Sequence, residues 1–265
     1  MLAVVGTLEG KTFVVAGAGA GLGRAIALAA FEEGASLVLG ARSGGSLEAL
    51  AREVDPSGAL VSPVVFDITD PGSCRAIAEH AAERFGSLDC LVVPAALDSV
   101  MGGISGADWG LWHEVMEVNF FGAMYMTSAA LGSFGVRGGS IVYITTQTIY
   151  RPPPALLQAA YAASKAALLG AARHLAVELG PRRVRVNTVA PGWMYGPEVE
   201  AYATASDEKA GRSPGDTLAA IATRMPLATL ATCADVADAV VFLSSDKAQA
   251  ITGQALLVNA GEQVH

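Results

Sequence analysis

A tyrosine and a lysine four residues apart are the residues of this sequence best suited to proton transfer. Tyr161 and Lys165 lie within residues 156–179, whose composition predicts a long helix, and this spacing places both side chains on one helical face. An ammonium group beside a phenol favours the phenolate, so we expect Lys165 to lower the pKa of Tyr161. Such a tyrosine can pass a proton to or from an alcohol or carbonyl oxygen near neutral pH. The spacing is equally typical of a surface pair, so other signals must support it.

A glycine-rich turn near the N-terminus predicts a binding site for a diphosphate. The run 16–23 follows a predicted strand and precedes a predicted helix. Its glycines fit G-x-x-x-G-x-G through Gly17, Gly21 and Gly23, with Leu22 where the commoner motif has its last glycine. Glycines let a phosphate approach backbone amides at the positive end of the helix. A glycine turn without a ligand is the alternative, but the strand before it and the helix after it favour a dinucleotide.

Residues after the second and third predicted strands bear on which dinucleotide binds. Arg42 follows the second strand, where a free ribose 2′-hydroxyl calls for a carboxylate, and the nearest acid is Glu48 in the next helix. Arg42 can instead bind a 2′-phosphate through two parallel hydrogen bonds, which favours NADP(H) over NAD(H). The alternative is a solvated surface charge. Asp67, after the third strand, is placed to accept the adenine amino group, with local helix capping as the competing interpretation.

These residues need a parallel sheet to position them, and the pattern of the chain predicts one. The predicted strands are residues 12–16, 36–41, 60–66, 89–93, 140–145, 183–189 and 255–258, and the predicted helices are residues 22–33, 45–54, 71–85, 108–134, 156–179 and 233–243. Such alternation is typical of the α/β class. We therefore predict a single Rossmann-type doubly wound domain, residues 1–265, with helices on both faces of a mainly parallel sheet.

One long irregular stretch interrupts the alternation. Residues 192–226 carry prolines and glycines, contain two short helical candidates and follow a strand's carboxyl end, which is where open α/β sheets bind ligands. Irregular segments this long tend to be functional. We predict a substrate lid over residues 192–228, with a disordered surface loop as the alternative.

Composition argues against several classes of protein. The net charge of −8 over 265 residues disfavours nucleic acid and anionic membranes as partners. The sequence shows neither a leader pattern nor an apolar run of about 20 residues. Cys74, Cys90 and Cys233 are odd in number and widely spaced, which indicates reduced thiols without zinc spacing. We expect a cytoplasmic protein that binds no metal.

Together these motifs resemble the short-chain dehydrogenase/reductase family over nearly the whole chain. The matching positions are Gly17, Gly21 and Gly23, Asn119 within Val118-Asn-Phe-Phe-Gly122, Tyr161, Lys165 and Pro191-Gly192. The resemblance implies a seven-stranded parallel sheet, a homotetramer or homodimer, and an NAD(P)-dependent enzyme acting on CH–OH and C=O groups.

The resemblance also implies roles for individual residues. Tyr161 would be the general acid/base, Lys165 would depress its pKa and bond the nicotinamide ribose, and Asn119 would hold a water that relays protons. Hydride would pass to or from the nicotinamide, whose chemistry belongs to the cofactor. The expected cofactor-binding residues are Gly17, Gly21, Leu22, Arg42, Asp67, Ile68, Ala95, Tyr161, Lys165, Pro191, Gly192 and Met194.

Two departures from the family pattern concern the site. Thr146 stands where the family has its active-site serine, although counting back from Tyr161 by the family's usual interval reaches Thr148. We favour Thr146 as the catalytic hydroxyl. The run Val93-Pro-Ala-Ala96 replaces the family's Asn-Asn-Ala-Gly, which puts local sheet hydrogen bonding in doubt because Pro94 lacks a donor.

Side chains expected beyond the strand ends are mostly apolar. They are Leu97, Met101, Ile149, Tyr150, Leu156, Leu157, Trp193 and Tyr195. With Thr148, Trp193 and Tyr195 as substrate contacts, they predict a neutral, largely apolar secondary alcohol or ketone; each is otherwise a plain core residue. The alternative function is a non-catalytic dinucleotide-binding sensor or scaffold of the same fold.

Overall fold

The computed structural model describes residues 6–153 and 157–264, and parallel strands form its centre. In chain order the strands are β1 (Thr12–Ala16), β2 (Ser36–Ala41), β3 (Val61–Val65), β4 (Cys90–Val93), β5 (Gly139–Ile144), β6 (Val184–Pro191), β7 (Met194–Tyr195), β8 (Ala231–Thr232) and β9 (Ala255–Val258). A seven-stranded sheet has the order β3-β2-β1-β4-β5-β6-β9, and β7 pairs with β8 separately. Every pairing in both sheets is parallel.

Helices cover both faces of the large sheet. They are α1 (Leu22–Glu32), α2 (Gly44–Val54), α3 (Pro71–Phe85), α4 (Trp109–Met116), α5 (Gly122–Ala130), α6 (Ala159–Leu179), α7 (Pro197–Ala210), α8 (Asp216–Ala222) and α9 (Cys233–Ser244). Phe13 and Val15 of β1 pack in one core with α1, α2 and α9, whereas Val14 and Ala16 pack in the other with α3, α5 and α6. This alternation is the period of two expected of a strand buried on both faces, and the predicted doubly wound fold is confirmed.

Local sequence explains why α3 begins and ends where it does. The side chain of Asp70 accepts hydrogen bonds from the amides of Gly72 (3.1 Å) and Ser73 (2.9 Å), and Pro71 fills the first helical position. At the other end Gly86 adopts a left-handed conformation with φ of 91°, which glycine tolerates without a Cβ clash. The prediction for this helix is therefore confirmed at both ends.

The predicted long helix 108–134 is interrupted in the structure. A π-helical turn, Glu117–Phe121, separates α4 from α5. A π-turn adds a residue to the helical repeat and shifts which side chains face inward, and such turns are frequent at functional sites. Asn119 lies within it and is 1% exposed. The helix predicted from residue 156 begins at Ala159, with residues 154–156 outside the described part of the chain.

The sheet order places a crevice beside β1. The chain moves outward from β1 to β3 and then returns to β4 on the other side of β1, which is the arrangement that opens a ligand site at the strands' carboxyl ends. Pro94 does not disrupt this edge, because it follows the last residue of β4 and the amide of Ala95 donates to the carbonyl of Ala16 (3.2 Å).

The segment predicted as a lid contains α7 and α8 and is tied at both ends. Met194 pairs with Ala231, and Tyr195 pairs with Thr232. The pairing of β7 with β8 therefore holds the beginning and the end of this segment side by side. Among the residues that the structure describes, every helix is too short or too polar to cross a bilayer.

Candidate active site

The glycine turn after β1 leaves open space at the start of α1. A Cβ on Gly17, whose φ is +128°, would lie 2.4 Å from the nitrogen of Ala95, and one on Gly23 would lie 2.2 Å from the carbonyl oxygen of Gly17. Close packing therefore requires these two glycines. Gly19 and Gly21 have nothing within 4 Å of such a Cβ. Gly21 caps α1 without a side-chain hydrogen bond, and the first turn of α1 has no acidic residue, so its amides suit a diphosphate.

The loops after β2 and β3 carry the predicted adenosine contacts. Arg42 is exposed, and Asp67 accepts hydrogen bonds from the amide (2.9 Å) and hydroxyl (2.8 Å) of Thr69. Those bonds are the main reason that the pKa of Asp67 is lowered, and the charge of Arg42 adds to the effect. Asp70 rather than Asp67 caps α3. The side chain of Ile68 belongs to the core, which leaves its backbone for a ligand.

Lys165 is buried next to the ring of Tyr161, one helical turn away on α6. Its Nζ lies 5.8 Å from the ring centroid and donates to the carbonyl oxygen of Ile144 at the end of β5 (2.9 Å). Lys165 is 1% exposed. Burial lowers the pKa of Lys165 to about 8, and the negative charge of Asp98 opposes that shift.

The expectation that Lys165 lowers the pKa of Tyr161 is wrong for this arrangement. Burial raises the pKa of Tyr161, Asp98 raises it further, and a hydrogen bond with Thr146 lowers it. The ammonium group of Lys165 is itself desolvated and donates to the carbonyl of Ile144. The phenol is therefore protonated at neutral pH and can act as a proton donor.

The structure distinguishes the two candidate threonines. Thr146 follows β5, and the interaction of its hydroxyl with the phenol lowers the pKa of Tyr161. Its Oγ1 also accepts from the amide of Thr148 (3.2 Å) and lies 3.2 Å from the Thr148 hydroxyl. Thr148 sits in the short 3₁₀ turn Gln147–Ile149. Thr146 thus acts on the phenol of Tyr161, and Thr148 contacts Thr146.

Asn119 joins the loop after β4 to α6. Its side-chain oxygen accepts from the amide of Leu97 (2.7 Å), and its Nδ2 donates to the carbonyl of Leu97 (3.0 Å) and to the hydroxyl of Ser164 (3.0 Å). The Ser164 hydroxyl in turn donates to the carbonyl of Tyr161 (2.8 Å). Asn119 therefore positions the loop against the helix that bears Tyr161. Ser164 was missed by the sequence interpretation, although it stands between Tyr161 and Lys165 and is fully buried.

Asp98 is a second residue that the sequence interpretation missed. It is exposed, and its charge acts on both Tyr161 and Lys165. Its carbonyl oxygen accepts from Nε2 of Gln158 (2.6 Å), just before α6 begins. The available signal was position, because Asp98 is the first ionisable residue after β4.

The predicted substrate contacts separate into two places. Trp193 is half-buried, and its ring lies 5.5 Å from that of Tyr202 in α7, with the two ring planes tilted by 34°. Tyr195 instead donates its hydroxyl to Glu200 and lines an apolar hollow against α8. Met101 and Leu157 are more than half exposed. Leu97, Ile149 and Tyr150 are partly buried, and Leu156 lies outside the described residues.

The remaining predicted cofactor contacts lie at the ends of β6 and β7. Pro191 pairs with Val258, and the amide of Gly192 donates to the carbonyl of Val258 (3.1 Å). Met194 lies in β7. Across residues 6–153 and 157–264, His, Cys, Asp and Glu form no group of three that could hold a metal.

Comparison with known proteins gives one consistent result. A family model described as enoyl-(acyl carrier protein) reductase matches residues 17–263. The 3-oxoacyl-[acyl-carrier-protein] reductase FabG of Thermotoga maritima is 31% identical over 258 residues, 96% of this chain and 98% of that protein. The cis-4-hydroxycyclohexanecarboxylate dehydrogenase of Sinomonas cyclohexanicum is 32% identical over 251 residues, 95% of this chain and 96% of that protein.

A solved structure is similar over the same extent. Carveol dehydrogenase from Mycobacterium avium, in complex with NAD, superposes with a TM-score of 0.89 at 25% identity, covering 97% of this chain and 99% of that one.

Proposed function

The chain belongs to the short-chain dehydrogenase/reductase family, and from that premise we propose that it transfers a hydride between NADP(H) and a neutral, largely apolar secondary alcohol or ketone. Family membership makes it an NAD(P)-dependent oxidoreductase acting on CH–OH and C=O groups. The choice of NADP(H), the substrate and the roles of individual residues are the proposal.

One chain of contacts carries the proposal. Ala95 lies against Gly17 of the glycine turn, and Leu97, two residues later, is held by Asn119, which bonds Ser164 beside Tyr161. A few residues after β4 thus connect the phosphate-binding turn to the proton donor. A dinucleotide that spans this crevice, with its diphosphate at the turn, would bring its reactive end to Tyr161.

The protein's own contribution is proton transfer and positioning. The bound nicotinamide supplies or accepts the hydride. Tyr161 donates its hydroxyl proton to the substrate oxygen, since its raised pKa keeps the phenol protonated at neutral pH. The Thr146 hydroxyl forms a hydrogen bond with the same substrate oxygen. Lys165 supplies a positive charge beside the ring of Tyr161. Asn119 and Ser164 fix the helix and loop on which these groups are carried.

The chemistry of the crevice supports the cofactor choice. Gly17, Gly21 and Leu22 offer backbone at the diphosphate, Asp67 stays ionised for the adenine amino group, and the exposed Arg42 carries the positive charge that a 2′-phosphate needs. Ala95, Pro191, Gly192 and Met194 lie further along the strand ends.

The substrate class rests on apolar surroundings and on two similar proteins. Leu97, Ile149 and Trp193 are partly buried on segments that follow β4, β5 and β6. One compared protein is named for carveol and another for cis-4-hydroxycyclohexanecarboxylate, so the ring alcohol is common to both names while the carboxylate belongs only to the second. We propose a cyclic ketone or alcohol, covered by a lid of residues 192–228. A cytoplasmic homotetramer or homodimer completes the proposal.

A panel of cyclic, aromatic and open-chain ketones with their alcohols, assayed with NADPH and with NADH, tests this function. We expect ketone-dependent oxidation of NADPH, fastest with neutral cyclic ketones. Tight NADPH binding without turnover on any member would favour the sensor or scaffold function, which the replaced serine and the Val93-Pro-Ala-Ala96 run motivate.

Arg42→Asp tests the cofactor preference separately. Reversing the charge should lower the ratio of kcat/KM for NADPH to that for NADH by at least about tenfold. A carboxylate repels the 2′-phosphate of NADPH and accepts a hydrogen bond from the free 2′-hydroxyl of NADH. The matched control is Arg52→Asp, an exposed arginine further along α2. An unchanged ratio in the Arg42 variant would show that this residue does not contact the 2′-phosphate.

A further inference from the structure

A buried carboxylate near the C-terminus connects three parts of the chain that surround the site. Glu262 is 8% exposed. Its Oε1 lies 3.1 Å from Nη2 of Arg224, between α8 and β8. Its Oε2 accepts from Nε2 of Gln147 (2.5 Å), and its carbonyl oxygen accepts from Nη1 of Arg151 (2.8 Å). None of these residues figured in the sequence interpretation.

The first set of contacts connects Glu262, through Gln147, to the turn that follows Thr146. Gln147 is the next residue and is buried, and its side-chain oxygen accepts from Nδ2 of Asn259 (3.0 Å), just after β9. A Cβ on Gly192 would lie 2.8 Å from that same Gln147 oxygen. The amide of Gln147 is therefore held between Glu262, Asn259 and the start of the lid.

The second set of contacts reaches the lid. The guanidinium of Arg224 lies 5.7 Å from the centroid of the Trp193 ring, in cation–π geometry. The amide of Leu227 donates to the carbonyl of Ala260 (3.3 Å), and a Cβ on Gly261 would lie 3.0 Å from Pro226. The end of the lid thus rests on the C-terminal segment at the position of Glu262.

The carboxylate of Glu262 supplies the negative charge and the hydrogen-bond acceptor that its neighbours need. Burial of a charge is costly unless it is paired and hydrogen-bonded, and removal of one partner leaves the other uncompensated. Glu262 has both a cation and an amide donor. Without it, Arg224 would lack its carboxylate and Gln147 would lack its acceptor.

We propose that Glu262 is a positioning residue that holds the lid, through Arg224, against the Thr146 turn, and that its charge neutralises Arg224 so that the site selects uncharged substrates. The second half rests on the proposed function, since it deepens the assignment of a neutral ketone or alcohol. It also gives a physical reason for that selectivity. Arg224 lies beside Trp193, but it is already paired with Glu262 and is therefore not free to bind the carboxylate of a substrate.

Fluorescence of Trp193 tests the positioning without any turnover. The chain has three tryptophans, so Trp109→Phe/Trp112→Phe leaves Trp193 as the single reporter. In that background Glu262→Gln should raise the acrylamide quenching constant of Trp193 at least about twofold, because the lid loses its tie. Arg224→Gln should have the same effect. Because the Arg224 side chain is 38% exposed, this variant should fold even if Glu262→Gln does not, and it keeps the test valid.

The control for both variants is Asp246→Asn. It neutralises a carboxylate that is paired with Lys11 (2.7 Å) at the opposite end of the sheet, and it should leave Trp193 quenching unchanged. If neither Glu262→Gln nor Arg224→Gln changes the quenching constant relative to this control, the positioning role is refuted.

A matched pair of substrates tests the selectivity. A keto acid and its methyl ester share one carbon skeleton and differ in charge and by a single methyl group, and wild type should prefer the ester. In Glu262→Gln the ratio of kcat/KM for the acid to that for the ester should rise at least about fivefold, mostly through KM, because Arg224 becomes available. The double variant Glu262→Gln/Arg224→Gln should lose that gain.

The two halves and the proposed function fail in different ways. An unchanged acid-to-ester ratio in Glu262→Gln would refute the selectivity role. Absence of turnover in wild type on every ketone would refute the proposed function, while the quenching experiment would still decide the positioning role.

Discussion

The two ends of the sheet treat their buried polar groups differently. At the amino ends of the strands, Asp89 accepts from the amide of Thr12 (3.0 Å). Arg185 donates to the carbonyls of Leu243 (2.6 Å) and Ser245 (3.2 Å) at the end of α9. At the carboxyl ends, Lys165 is buried against a neutral carbonyl, and its pKa falls to about 8.

This difference separates what stabilises the fold from what performs chemistry. Polar groups at the amino ends complete hydrogen bonds that the backbone leaves open, such as the carbonyls at the end of a helix, and so contribute to stability. Lys165, at the carboxyl ends, is held in place by a neutral carbonyl rather than by a carboxylate, and functional sites obtain shifted pKa values in this way. Substitutions at the two ends should therefore change different measurements.

Tyr161→Phe should produce the largest effect and should be confined to catalysis. Removing the hydroxyl that donates the proton is expected to lower kcat at least about a hundredfold, while the dissociation constant for NADPH stays nearly unchanged. Single-turnover kinetics and a cofactor titration measure the two quantities. Turnover at the wild-type rate would end the assignment of Tyr161 as acid/base.

The uncompensated charge of Lys165 should make the stability depend on pH. Its pKa is about 8 in the folded protein and about 10.4 when unfolded. Between these values the unfolded chain binds a proton that the folded chain has released. The free energy of unfolding should therefore rise with pH at this site, by up to about 1.4 kcal/mol per pH unit.

Urea unfolding of wild type and Lys165→Met at about pH 7.5 and about pH 9.5 isolates this contribution. Wild type should gain stability relative to the variant at the higher pH. The same difference at both pH values would mean that the pKa of Lys165 is not lowered in the folded protein.

Arg185→Met should change stability and leave catalysis intact. Loss of its hydrogen bonds to the last carbonyls of α9 is expected to cost about 2 kcal/mol of unfolding free energy. The control is Arg173→Met, an exposed arginine on α6. A fall in kcat for folded Arg185→Met protein would contradict the proposed division between the two ends.

Thr146→Val and Thr148→Val should give the smallest effect and sharpen the comparison within the carboxyl end. We expect a loss of about tenfold in kcat/KM for Thr146→Val and a smaller loss for Thr148→Val, since the Thr146 hydroxyl lowers the pKa of Tyr161. Both replacements keep the side chain's shape. The reverse order would identify Thr148 as the residue that replaces the family serine.

Local signals in the sequence were sufficient for much of the fold. The bounds of β1, β2, α3 and β9 agree with prediction, because apolar runs ended by glycine, proline or a capping aspartate leave little freedom at those points. The interruption of the helix at residues 117–121 could not be foreseen, since a π-turn depends on what the helix packs against rather than on its composition.

The residues of the proposed site could be named from the sequence, but the direction of the Tyr161 pKa shift could not. Tyr161, Lys165, Thr146 and Asn119 were named from spacing and resemblance, and the structure brings them close together. The sign of the Tyr161 pKa shift was predicted wrongly, because helical spacing says nothing about burial or about Asp98. Glu262 carries no local motif, and its partners come from distant parts of the chain.

The pairing of β7 with β8 brings the two ends of the region between them to one place on the fold. Met194 and Tyr195 are bound to Ala231 and Thr232, so whatever chain joins them starts and finishes at one point on the scaffold. Longer, shorter or unrelated connections can be accommodated there without altering the register of the seven strands. Because this segment is the proposed lid, we expect a different substrate range to need changes in it and in its contacts with residues 260–262.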